Sequence, residues 1–127
     1  MSIRHCKRYS IRAVLLSGIA LTWPALILAH AMPEKTEPGV GAVLAAAPHS
    51  VRITFDARLE DGFSTITVKN SKGQAINGES RLESANHKIL ETDLSALSPG
   101  DYHVYWNVVS IDGHRTIGDY IFHFRPQ

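Results

Sequence analysis

Six histidines follow residue 29 in this 127-residue chain: His30, His49, His87, His103, His114 and His123. They are its main supply of groups able to hold a metal or move a proton. The sequence has no serine in a nucleophile elbow, no glycine-rich phosphate loop and no carboxylate pair at a telling spacing. Most of the six have plain readings. His49 follows Pro48 and His87 follows Asn86, both in turn-like surroundings that place them on surface loops. His103 and His123 alternate with apolar neighbours (Tyr102 and Val104; Phe122 and Phe124), so they belong to the solvated faces of strands.

The stretch VVSIDGHRTIGDY, residues 108–120, is different. Asp112 and His114 stand two residues apart between two strand-like runs. Residues i and i+2 of an extended chain face the same side, and Gly113 lets the backbone bend so that a carboxylate and an imidazole converge. Asp-Gly is also a strong hairpin signal. On spacing alone, a turn and a metal site both remain open here.

His30 matters only if it becomes a chain end. The segment MSIRHCKRYSIR carries four basic residues and no acid, and AVLLSGIALTWPALILA, residues 13–29, carries no charge. A basic start, an apolar middle and small residues at the end form a secretory signal peptide. Pro24 and the short apolar run disfavour an uncleaved membrane anchor. Cleavage after Ala29 makes His30 the new N-terminus. Cleavage after Ala31 uses the better small-x-small triplet Ala29-His30-Ala31 and discards His30.

With 1–29 as a cleaved signal peptide, 30–127 is left as one small domain. The leader holds four of the 13 Lys and Arg residues and none of the 12 acids, which leaves nine basic groups against twelve acidic ones, a net charge of about −3. A mildly acidic domain without a basic stripe argues against nucleic acid as a partner. The one cysteine, Cys6, leaves with the leader, so no disulfide and no thiolate ligand remains. The core alone must stabilise the fold.

The elements that must position these residues are strands. VRITF (51–55), FSTITVKN (63–70), a weaker run near HKILET (87–92), YHVYWNVVS (102–110) and TIGDYIFHFR (116–125) alternate by period two and are rich in β-branched and aromatic residues. SKGQ (71–74) and SPGD (98–101) supply turns. EKTEPGVGAVLAAAPHS, residues 34–50, is a crossing loop by its Pro and Gly content, with a helical turn as the alternative for its alanine run. No helical period is sustained. Several short strands in about 100 residues predict an all-β domain, a small Greek-key β-sandwich or barrel.

The stretches HAMPEKTEPGVGAVLAAAP, VRITFDARL and LSPGDYHVYWNVVSIDGHRTIGDYIFHF closely resemble the CopC-type periplasmic copper-binding proteins, from His30 to Phe124. The most specific parts read Gly100-x-Tyr102-x-Val104-x-Trp106, then Val109-Ser110-x-Asp112-x-His114, then Gly118-x-Tyr120-x-Phe122. The resemblance implies a cupredoxin-like or immunoglobulin-like sandwich that buffers, sequesters or carries copper in the periplasm. It implies one Cu(II) per chain, held by the imidazole and free α-amine of His30, the imidazole of His114 and a carboxylate oxygen of Asp112. That ligand set requires cleavage after Ala29. It also implies a partner, an inner-membrane copper transporter of the CopD type, with no membrane anchor on the cleaved chain itself.

The chemistry is consistent with that set. An α-amine and the Nδ1 of the same histidine close a chelate ring, and tetragonal nitrogen and oxygen donors suit Cu(II). Free amines and imidazoles titrate near about 8 and about 6.5, so binding is expected to weaken below about pH 6. Met32 is the one methionine after the leader. That is too few thioethers for the separate Cu(I) site of methionine-rich relatives. Many relatives begin His-x-His, whereas here Met32 is third. The family also carries an acid just after the Phe of the second strand, and Asp56 stands close to that place. Trp106 is expected in the core. Two other functions compete: a histidine-brace copper oxidase or monooxygenase, and a metal-free sandwich interaction domain. Against the enzyme, Asp112 would fill a coordination position and a domain this small has little room for a substrate platform.

Overall fold

A computed structural model describes residues 30–127, and the leader expected over residues 1–29 lies outside the described residues. Among the described residues eight strands form: β1 (Pro33–Glu37), β2 (Val43–Leu44), β3 (Ser50–Phe55), β4 (Thr65–Lys69), β5 (Asn77–Glu83), β6 (Asn86–Leu94), β7 (Gly100–Val109) and β8 (Arg115–Phe124). They make two four-stranded sheets, ordered β1-β3-β6-β5 and β2-β8-β7-β4. All pairings are antiparallel except the short parallel contact of β2 with β8. The all-β sandwich read from alternation is the observed fold.

Period-two alternation builds the core. In β3, Val51, Ile53 and Phe55 are fully buried while Arg52 and Thr54 are not. Tyr102, Val104 and Val108 of β7 meet Tyr120, Phe122 and Phe124 of β8, and the rings of Tyr102 and Phe122 stack at 5.3 Å. Burying each aliphatic or phenyl side chain contributes about 1.5–3 kcal/mol. Trp106 is part-buried against this core, as expected, and its ring lies against Gly118 on the neighbouring strand.

The outer face of the first sheet is charged. Arg52 pairs with Glu83 and Glu91, and Arg81 pairs with Glu91 and Asp93. The open edge between β4 and β5 is closed by side chains. Ser80 Oγ accepts from Ile66 N–H at 2.8 Å, and Asn77 Oδ1 accepts from Val68 N–H at 2.8 Å. These contacts satisfy backbone donors that an edge strand would leave unpaired.

Three expectations need correction. Residues 33–37 are a strand and 43–44 a short second one, with no helical turn at the alanine run. PEKTE has no apolar alternation, so β1 owes its form to its ladder with β3. β5 lay in no expected run, because NGESRLE is polar. It is held by pairing with β6 and by the Arg81 ion pairs. The run near HKILET is part of a nine-residue strand between β3 and β5, and His87 stands within it instead of on a loop.

Candidate metal centre

The loop joining β7 to β8 is built by its own hydrogen bonds. Gly113 N–H donates to Ser110 O at 2.8 Å, and Ser110 N–H donates to His114 O at 2.9 Å. Gly113 has φ of 89°, a conformation that glycine adopts without steric cost. The Asp-Gly turn and the convergence of its flanking side chains are therefore one feature. Asp112 Oδ1 accepts from the Ser110 hydroxyl and, at 3.1 Å, from His114 N–H. These donors stabilise the ionised form and hold the Asp112 carboxyl down at about 2, the serine bond contributing most. Asp112 thus stays anionic with Oδ2 turned to the imidazole, 3.0 Å from His114 Nδ1. The approach is close, but the alignment is not that of a hydrogen bond, and Nδ1 is buried without a hydrogen-bond partner.

His30 arrives from the other end of the domain. Its ring meets that of His114 edge to face, with centroids 5.4 Å apart and planes at 67°. The preceding peptide links His30 to Ala29 in the full chain, so its nitrogen is an amide and not the amine that a chelate would use. Among the described residues no three His, Cys, Asp or Glu side chains stand gathered around one point. What the fold brings together is the pair of imidazoles and the carboxylate beside one of them.

The other histidines lie elsewhere. His49 is exposed in the loop before β3. His103 and His123, read as solvated, are each half-buried and paired with a carboxylate across the β7–β8 ladder. His103 Nε2 bonds Asp119 while Tyr105 OH meets its Nδ1, and His123 Nδ1 lies 2.7 Å from Asp101. Contact with His123 and then Arg125 holds the Asp101 carboxyl below its usual range. Sequence reasoning missed these pairs because antiparallel register, not chain proximity, supplies the acids.

Residues 33–125 match the family described as the CopC domain. Over 97 residues the chain is 37% identical to the copper transport protein CutJ of Bacillus subtilis strain 168, covering 75% of this chain but only 18% of CutJ. Over 112 residues it is 34% identical to protein YobA of Escherichia coli strain K12, covering 87% of this chain and 90% of YobA. The crystal structure of CopC from Methylosinus trichosporium OB3b superposes with a TM-score of 0.73 at 28% identity, covering 77% of this chain and 96% of that one. PcoC, a methionine-rich copper resistance protein from Escherichia coli, superposes with a TM-score of 0.67 at 23% identity, covering 76% of this chain and all of that one, a likeness of fold alone.

Proposed function

The chain belongs to the CopC domain family, and from that premise we propose that it is a periplasmic Cu(II)-binding protein that carries or buffers one copper ion per chain. The observation that carries the reading is the meeting of His30 and His114, from opposite ends of the domain, beside the anionic Asp112. Copper is the cargo here. Two imidazoles, a carboxylate and, after export, an α-amine make a nitrogen-rich set with one oxygen, which favours Cu(II) among divalent first-row metals. Ser110 and the His114 amide keep Asp112 deprotonated and oriented, as outer partners of a ligand do.

The same reading assigns cleavage after Ala29. Ala31 is fully buried in the core cluster, so a chain starting at Met32 would lose a packed residue as well as His30. The name of one relative, the copper transport protein CutJ, is consistent with transport in place of catalysis. An inner-membrane copper transporter of the CopD type is the partner this reading expects.

Intact mass of the protein recovered from the periplasm, with and without copper, tests both points. The expected species starts at His30 and gains one copper. Substitution His114→Ala abolishes tight binding and leaves the β-sheet circular dichroism unchanged. A secreted chain that starts at Met32, or His114→Ala protein that binds copper normally, overturns the proposal.

A further inference from the structure

We propose that Asp56 is a positioning residue for the copper site, docking the first residues of the processed chain so that His30 stands beside His114 before metal arrives. The inference rests on the reading of the site given above. Asp56 and Met32 make a reciprocal pair: Asp56 N–H donates to Met32 O at 2.9 Å, and Met32 N–H donates to Asp56 Oδ1 at 2.7 Å. This extends the β1–β3 ladder beyond its last register pair, Pro33 with Phe55. The rung is unusual in one respect. The carbonyl of Asp56 accepts from Lys88 Nζ at 3.0 Å, while the side chain provides the acceptor for Met32. An apolar residue at position 56 would leave the Met32 N–H without this partner.

Two further features act on the same segment. Ala31, between Met32 and His30, is fully buried in the core cluster. The β1 register shifts between Pro33 and Lys35, and such bulges re-aim the side chains next to them. With residue 32 tied and residue 31 packed, His30 is the single residue of the processed chain left beyond the anchor. Chain ends ordinarily fray. A ligand supplied by a chain end binds more tightly when its ordering does not have to accompany metal capture. Asp56 meets no ligand itself and acts through the backbone of Met32.

The test compares wild type, Asp56→Ala and Asp56→Asn, each produced with His30 as first residue. Asparagine keeps an acceptor oxygen for the Met32 N–H and loses the charge, whereas alanine loses both. Asp56→Ala is expected to weaken Cu(II) binding by about 2–10-fold, the cost of ordering a freed chain end and its side chain at the moment of metal capture. Asp56→Asn is expected to restore most of that affinity. In metal-free protein, the Met32 amide is expected to exchange hydrogen faster in Asp56→Ala than in the other two. Asp56 is exposed, so neither substitution opens the core, and the thermal unfolding midpoint checks this. Unchanged affinity in Asp56→Ala, or an Asn variant no better than Ala, overturns the inference. Failure of wild-type protein to bind Cu(II) sinks the reading of the site, whereas normal wild-type binding with an indifferent Asp56→Ala sinks this inference alone.

Discussion

At the scale of single residues, Asp112 joins the fold to the proposed site. One carboxylate oxygen closes the β7–β8 loop through Ser110 and the His114 amide, and the other faces the His114 ring. Because the folded state holds this carboxyl at about 2, below the ordinary aspartate range, the unfolded chain takes up its proton first as pH falls. The stabilising contribution is complete above the ordinary value and is lost as pH drops from about 4 towards about 2. Metal-free Asp112→Asn protein is therefore expected to lose less stability across that window than wild type does. Urea unfolding at pH 5 and at pH 2.5 measures the difference, and an identical loss in both proteins would contradict the role assigned to Asp112.

Among the elements, the β7–β8 hairpin carries the Asp112–His114 half of the proposed site, and its alignment depends on how closely two strands can pack. Trp106 lies over Gly118, where an added Cβ would fall 2.1 Å from Trp106 Cζ2. The Gly-x-Tyr-x-Phe pattern thus carries its glycine for ring clearance, not for backbone freedom. Substitution Gly118→Ala must push the indole aside, and overpacking of this kind costs about 1–3 kcal/mol. Of the two tryptophans, Trp23 lies outside the described residues, and in protein produced with His30 as first residue Trp106 alone reports. A shifted fluorescence maximum together with a lower urea midpoint is expected, and neither change would mean that the ring packs elsewhere.

At the scale of the molecule, a small domain with no cysteine after residue 6 depends on its apolar core. Phe122 is among its largest fully buried side chains and stacks on Tyr102. Truncating a buried phenylalanine costs about 3–5 kcal/mol, a large share of the roughly 5–15 kcal/mol that keeps a domain folded. For a domain of this size, Phe122→Ala is expected to lower the thermal midpoint by about 12 °C or more. Calorimetry on the metal-free protein measures it, and a drop of only a few degrees would place the core elsewhere.

The sequence by itself determined the fold class, the inward faces of β3, β7 and β8 and the loop carrying Asp112 and His114, because those features are written in short-range alternation and turn chemistry. It did not show β1 or β5, whose polar residues form strands through hydrogen bonds to β3 and β6. Nor did it show the acids paired with His103 and His123, since their partners lie across a ladder. Resemblance alone had joined His30 to the 112–114 loop. Tertiary structure brought the two rings within 5.4 Å, because burying Ala31 and pairing Met32 with Asp56 leave the first residues of the domain one place to lie.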